Sequence, residues 1–402
     1  MGEAFVVSAA RSPIGRPANG SLADVPPDDL AVMVIRAALA KIPQLDAHDV
    51  SRLYLGCGAA DHEPGGNIAR RVAIQLGLEK VPVTTVNHRC ASAVHSAVTA
   101  SHAIGACADG VFISAGVHCA SRTRPRPVTD SSLSPALPGR CAYGQTHQRS
   151  GPCLRWQRQY ALTDIHTSMG RMAERLAAGL RISRYEQDEF GVRSHLLAGQ
   201  AIEDGFYAKE IAPVTRSDGS VIVADDMPRP GVSYSSVSQF TPWFQPQGTI
   251  TPGNCAPLGD GAAAVIIMGD AKARELGISP LARIVATHVT QPAPHAVGLG
   301  AAEAARQALA DAGMVIGDMD LIEINEAFAV QVIASHRALK ADVSKLNVYG
   351  GAIALGHPFG MTGARIMTTL LNGLQTEDAH LGLVTLCASG GQGMAIILER
   401  LS

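Results

Sequence analysis

Two distant stretches of this chain are built to one plan. Asn87 precedes a short loop, a run of small and apolar residues over 91–104, and a strand-like segment at 111–114. Asn347 precedes a Gly-rich loop, a second apolar run ending at residue 374, and a strand-like segment at 382–386. Strand, helix and strand in succession force parallel or mixed sheets with helices on their faces. The repeat therefore predicts an α/β fold made of two duplicated βαβαβ-type halves. The length agrees: 402 residues exceed the roughly 250–300 at which one hydrophobic core stops growing.

The alternation can be followed in both halves. Residues 5–9 and 53–55 read as strands. Asp28 or Asp29 is placed to cap a helix through Ala40, with Leu30, Val34, Ala37 and Ala38 at helical spacing. From residue 281 onward, strands at 282–286 and 321–324 alternate with helices at 301–312 and 327–339. The last two strands, 382–386 and 394–398, flank a turn at 387–393. Residues 121–254 differ in texture. They carry Pro- and Arg-rich loops and two polar helices, at 169–178 and 186–203, and read as a loop domain inserted in the first half. The expected division is 1–280, with the insertion at 121–254, and 281–402.

Composition narrows the function. Aromatic residues are 4 % of the chain, so the core must be built from Ala, Val, Ile and Leu, which suits close helix-on-sheet packing. The net charge is −2 with no run of like charge, so nucleic acid is not an expected partner. No apolar stretch reaches the ~18 residues of a membrane span, so membrane insertion is not expected either. The first residues lead almost directly into a strand, without a secretory leader, and the last four, E-R-L-S, are not a peroxisomal signal. A cytoplasmic enzyme is the expectation. Eight cysteines without C-x-x-C pairs argue against a disulfide framework.

Four sites can carry chemistry. Cys90 follows a strand and opens a helix, where unpaired N–H groups favour a thiolate and can hold an oxyanion. His357 lies in G-G-A-I-A-L-G-H-P-F-G-M-T-G, residues 350–363, a loop whose glycines let backbone approach a ligand. Its imidazole can take a thiol proton. Cys387, in L-C-A-S-G-G-Q-G, offers a second thiol for proton transfer to carbon. Asn325 and Glu326 follow a strand, where an amide can orient water or simply cap a helix. Taken singly, each of these residues is as well explained by packing.

Together they resemble the thiolase family. N-H-R-C is similar to that family's nucleophile segment. N-E-A-F at 325–328 and G-G-A-I-A-L-G-H-P-x-G-x-T-G-A-R at 350–365 match its motifs, and C-A-S-G-G-Q-G resembles its C-x-G-G-G-x-G. Further likeness lies in V-S-A-A-R-S-P-I-G, in G-N-I-A-R-R-V-A and in G-N-C-A-P-L-G-D-G-A-A-A, so the resemblance spans nearly the whole chain. It implies the thiolase fold, with mixed sheets in an αβαβα layering and an inserted loop domain.

The resemblance also implies roles. Cys90 would carry an acyl group. His357 would activate it and, with water held by Asn325, bind the first oxyanion. Cys387 would exchange a proton with the acetyl-CoA enolate. The N–H groups of Cys90 and Ser389 would bind the acyl-enzyme oxyanion. Met169, Ala256, Ala327 and Phe328 would line the coenzyme A tunnel. Coenzyme A and acyl-CoA would be co-substrates, with no permanently bound cofactor. The context would be fatty acid or other lipid metabolism, in a homodimer or homotetramer.

The sequence departs from the pattern in places. Ala256 replaces a usual serine, Thr241 a usual basic residue and Ser389 a usual glycine. These changes motivate the rival reading of a non-catalytic acyl-CoA-binding relative. A condensing synthase shares the nucleophile, but the second thiol favours the thiolase branch. Two incomplete G-x-G-x-x-G starts, at 56–61 and 298–303, are poor signals for a dinucleotide enzyme. His88, His95 and His102 recur every seven residues without acidic or cysteine companions, so no metal site is expected.

Overall fold

The computed structural model describes residues 2–58, 66–106, 108–123, 168–291 and 298–402. The sequence-predicted loops within 124–161 lie outside the described residues.

The first half runs β1 (Ala4–Arg11), α1 (Pro27–Ala40), β2 (Val50–Cys57), α2 (Ile68–Gln75), β3 (Val83–Val86), α3 (Ser92–Gly105) and β4 (Val111–Cys119). The insertion contributes α4 (Met169–Leu180), α5 (Arg184–Glu203), the two-residue strands β5 (Val214–Thr215) and β6 (Val221–Ile222), and the short α6 (Tyr234–Val237). The chain then returns to the sheet in β7 (Asp260–Gly269), followed by α7 (Asp270–Glu275). The second half runs β8 (Ala282–Thr290), α8 (Gly300–Asp311), β9 (Leu321–Ile324), α9 (Ala329–Leu339), α10 (Ala352–Leu355), α11 (Thr362–Thr376), β10 (Leu381–Ala388) and β11 (Gln392–Arg400).

Nine strands are ordered β3-β2-β4-β7-β1-β8-β11-β10-β9. The duplication is visible in that order. Read toward the centre, the first half runs β2-β4-β7-β1 and the second β9-β10-β11-β8; in both, the first strand of the half lies innermost and the last strand of the half lies beside it. The counterpart of β3 is reduced to one parallel bridge, Ile322 to Leu346. Within the nine-stranded sheet the halves join where β1 meets β8, at Phe5–Arg283 and Val6–Ala282.

Three apolar clusters define the layers. One packs α1 and α2 against one face of the first half. A second surrounds α3 and α11, which lie between the two halves. A third packs α8 and α9 on the far face of the second half. The layering is αβαβα, as expected. The central helices touch because Gly363 has no side chain: a Cβ there would stand 2.4 Å from the backbone nitrogen of Val94. A Cβ on Gly116 would likewise stand 2.0 Å from the carbonyl oxygen of Gly360.

Local details correct the sequence reading. Helix α1 is not capped by Asp28 or Asp29. Pro26 is the cap residue and Pro27 the first helical one, where a missing N–H costs nothing. Asp28 instead pairs with Arg71 at 2.9 Å. Helix α5 has a capping box between Ser183 and Glu186, which fixes its start two residues earlier than expected. Strand β7 was not anticipated, yet all ten of its residues are buried.

Candidate active site

Cys90 sits in a single 3₁₀ turn, Arg89–Ala91, and α3 begins only at Ser92. This corrects the expectation that Cys90 opens the α-helix. Arg89 adopts a left-handed φ of 52°, an uncommon conformation for a residue other than glycine, and Cys90 after it is buried. The turn is held by Ser92, whose Oγ donates to the carbonyl of Arg89 at 2.7 Å and accepts from the N–H of His88 at 2.9 Å.

The environment raises the Cys90 thiol to about 12. Burial is the main cause, and the sulfur of Cys387 adds to it. Its own N–H, the Arg89 cation and the N–H of Ser389 pull the other way. The expected stabilisation of a resting thiolate is therefore overruled by desolvation. The Arg89–Ala91 turn packs against β10, the strand that carries Cys387.

Cys387 is the penultimate residue of β10, not part of the turn after it. Its thiol donates toward the carbonyl of Gly298 at 3.8 Å. The N–H of Ala301, in the first turn of α8, is directed at its sulfur and partly offsets the burial that lifts it to about 11. Strand β11 can come this close to α8 because Gly393 is a glycine: a Cβ there would lie 1.9 Å from the carbonyl of Gly300.

His357 lies between α10 and α11 and is buried. Its Nδ1 is 2.7 Å from Oγ1 of Thr362, and that hydroxyl donates to the carbonyl of Pro358 at 2.9 Å. The hydroxyl proton is thus committed, so Oγ1 accepts from Nδ1–H, and Nε2 carries the lone pair. Asn325 Nδ2 stands 3.5 Å from that Nε2. Burial pushes the imidazole down to about 3, with Arg365 and His118 contributing. Its ring rests edge-on to Phe359, which also packs against His118. A Cβ on Gly58 would touch both Phe359 and the Arg89 carbonyl, so the His357 loop lies against the Arg89–Ala91 turn.

Asn325 does not cap a helix, because α9 begins at Ala329. Its N–H donates to Thr385 in β10, which sets the amide beside His357. Glu326 is structural. It accepts from Ser194, Asn347 and the N–H of Ile353, at 2.6, 2.8 and 3.1 Å, and so anchors the Gly-rich loop.

Ser389 keeps a negative φ. The left-handed angles of that turn fall on Gly390 (91°) and Gly391 (87°). A side chain at 389 therefore leaves the N–H free to point at Cys90.

Met169, Ala327 and Phe328 line one small cleft with Cys387, Gly298 and Gln331. Ala256 stands behind it and donates its N–H to the carbonyl of Ala327 at 3.1 Å. The cleft reaches the second thiol from the side of α4, so the inserted domain supplies one wall. Sequence reasoning missed Thr362, noted His118 only as a replacement for a usual glutamate, and read Gly298 only within an incomplete G-x-G-x-x-G. The G-M-T-G that holds Thr362 was read only for its glycines. Among the described residues, no helix is long and apolar enough to cross a membrane.

Comparison with known proteins agrees with this arrangement along the whole chain. Residues 4–271 match the family model described as thiolase, N-terminal domain, and residues 278–400 match thiolase, C-terminal domain. A 3-ketoacyl-CoA thiolase of Saccharophagus degradans is 37 % identical over 407 residues, 99 % of this chain and 98 % of that protein. An acetyl-CoA acetyltransferase of Paracoccus denitrificans is 37 % identical over 410 residues, covering both chains fully. Among solved structures, human mitochondrial 3-ketoacyl-CoA thiolase in complex with CoA superposes with a TM-score of 0.85 at 32 % identity, over 100 % of this chain and 98 % of that one. With both family models matched and full-length relatives above 30 % identity, this chain is a member of the thiolase family.

Proposed function

We propose that this chain is an acyl-CoA C-acyltransferase. It cleaves a 3-ketoacyl-CoA with CoA into acetyl-CoA and a shortened acyl-CoA, and it runs the reverse Claisen condensation. The observation that carries this reading is the packing of the turn that holds buried Cys90 against β10, the strand that holds buried Cys387.

In cleavage, the sulfur of Cys90 attacks the keto carbon while Nε2 of His357 takes the thiol proton. A neutral thiol beside a neutral imidazole is the resting pair, so proton transfer accompanies attack. The tautomer set by Thr362 leaves Nε2 ready to accept. The carbon–carbon bond then breaks, and the acetyl-CoA enolate takes the proton of Cys387. The acyl group remains on Cys90 as a thioester. Cys387 next takes the proton of incoming CoA, whose sulfur attacks that thioester; the bond from the acyl carbon to Cys90 breaks, and the proton held on His357 returns to the Cys90 sulfur. The N–H groups of Cys90 and Ser389 stabilise the oxyanion, and water held by Asn325 with His357 serves the first one. Coenzyme A is a co-substrate. Met169, Ala327 and Phe328 would contact it, with Ala256 supporting Ala327.

Lipid breakdown or synthesis in the cytoplasm is the setting this reading favours, supported by relatives named for both ketoacyl and acetyl chemistry. Division into 1–280, carrying the 121–254 insertion, and 281–402 is supported by the repeated strand order. A homo-oligomer is favoured by β3, which ends the sheet with an outer edge that pairs with no described strand.

Incubation with acetyl-CoA tests the proposal directly. Intact-mass analysis should show one acetyl group, and peptide mapping should place it on Cys90. Acetoacetyl-CoA with CoA should be consumed. An unmodified Cys90 together with no consumption of short or long 3-ketoacyl-CoAs would leave only a fold-level likeness.

A further inference from the structure

The asparagine that opens the second repeat does a job its counterpart does not. Asn87 closes a local turn, its Oδ1 accepting from the N–H of Arg89 at 3.2 Å. Asn347 is buried, holds a left-handed φ of 43°, and sends its amide across to the end of β9. Its Oδ1 accepts from the N–H of Ile324 at 2.8 Å. Its Nδ2 donates to the carbonyl of Ile324 at 2.9 Å and to Oε1 of Glu326 at 2.8 Å. The donor and acceptor on Ile324 fix which end of the amide is oxygen. Asn325 lies between the two residues held in this way.

The other oxygen of Glu326 reaches the His357 side. Oε2 accepts from the N–H of Ile353 in α10 at 3.1 Å, four residues before His357. It also accepts from the hydroxyl of Ser194 in α5 at 2.6 Å, and that hydroxyl accepts from the N–H of Gly351 at 3.2 Å. Ser194, Glu326 and Asn347 are all buried. Three donors therefore converge on one carboxylate that water does not reach. A carboxylate, which only accepts, satisfies all three; an amide of the same size would turn its own N–H₂ against one of them.

We propose, resting on the acyltransferase reading above, that Asn347 and Glu326 are positioning residues that set the spacing of Asn325 and His357. Neither touches a reacting atom. Together they hold the residues on both sides of Asn325 and tie them to the loop that carries His357. The spacing they maintain is the 3.5 Å between Asn325 Nδ2 and His357 Nε2. In the proposed mechanism that pair holds the water for the first oxyanion, which forms on the keto oxygen. Acetyl transfer to Cys90 uses the N–H groups of Cys90 and Ser389 instead. The clamp therefore serves the carbon–carbon step more than the thioester step. Through Ser194 it also fastens α5 of the inserted domain to the same point.

The experiment compares full-length Glu326→Gln, Asn347→Ala and Ser194→Ala proteins with wild type. Cys90 acetylation by acetyl-CoA is followed by rapid-quench intact mass. Cleavage is followed by steady-state kinetics on the 3-ketoacyl-CoA that wild type turns over fastest. In Glu326→Gln and Asn347→Ala, kcat for cleavage should fall about 10–100-fold, with KM within about threefold and acetylation slowed by less than about threefold. Ser194→Ala removes one donor of three and should show the same selective loss at about 3–10-fold. Circular dichroism reports folding, and Ser194→Ala carries the test if the other two variants unfold. Equal losses in the two reactions, a loss confined to KM, or unchanged kcat in the folded variants would overturn the clamp while leaving the acyltransferase reading intact. A wild-type protein that performs neither reaction would overturn that reading, and the clamp with it.

Discussion

Thr362 dictates which nitrogen of His357 is basic. Its hydroxyl gives its proton to the Pro358 carbonyl at 2.9 Å and so can only accept from Nδ1 at 2.7 Å. Replacing Thr362 by Val removes the acceptor and frees the ring to adopt the other tautomer. The expected loss in kcat is about 10–100-fold, a fraction of the 10²–10⁴ typical of a general base. Thr362→Ser should restore most of it, because the hydroxyl returns. If Val and wild type have equal kcat, the tautomer argument fails.

In the proposed mechanism the two thiols have separable duties. Cys387→Ala should still be acetylated on Cys90 by acetyl-CoA when an external base is supplied. It should fail to condense two acetyl units, because no group exchanges the carbon-bound proton. Cys90→Ala should lose both steps, with a fall of at least about 10³-fold in kcat. Rapid-quench mass analysis distinguishes the two. Wild-type condensation by Cys387→Ala would remove it from the chemistry.

Much of this site was legible before any coordinates, and what was not has a physical explanation. Cys90, His357, Asn325 and Cys387 stood out because their segments together resemble the thiolase motifs, although each taken singly was as well explained by packing. The duplicated plan was readable from Asn87 and Asn347, and the repeated strand order agrees with it. Strand β7 was not readable: D-G-A-A-A-V-I-I-M-G has no period-two alternation because both its faces are covered, so pattern alone does not separate it from a buried helix. The protonation of Cys90 was also hidden. Sequence suggests the nearby helix start, but the raised thiol arises from burial beside Cys387, a contact made across the whole chain.

That burial gives a pH signature. A thiol at about 12 is uncharged through the neutral range, and an imidazole at about 3 is unprotonated there. Alkylation of free Cys90 by iodoacetamide should therefore be slow at pH 7 and still climbing above pH 9. A cysteine stored as thiolate with an imidazolium would instead plateau below pH 8. Following the rate by peptide mass spectrometry from pH 6 to 10 checks this. Such a plateau would mean the resting pair is ionised.

In the proposed mechanism Ser389 acts through its backbone, and its φ is negative. Ser389→Ala should retain near-normal kcat. Ser389→Pro deletes the N–H directed at Cys90 and should cost about 10²–10³-fold, the usual effect of removing one oxyanion donor. Gly390→Ala should lower the melting temperature instead, since φ there is 91°. Circular dichroism with steady-state kinetics separates the two outcomes. A large kinetic loss in Ser389→Ala would assign the hydroxyl a role of its own.

Glu323 in β9 supplies a test of fold stability. It is buried in the sheet near Glu326 and Glu210, and burial lifts its carboxyl to about 8 despite Arg365. The folded value lies above the unfolded one of 4.5, so the native state holds the proton more tightly. Stability from this group is complete below pH 4.5 and is lost as pH rises toward 8, by up to a few kcal/mol on the order of 1.4 per unit. Glu323→Gln keeps the shape and cannot ionise. Urea unfolding should find the variant and wild type alike near pH 4.5, with the variant gaining relative stability steadily up to pH 8.5. A constant difference across that window would show that Glu323 is ionised in the folded protein at neutral pH, with Arg365 compensating its charge.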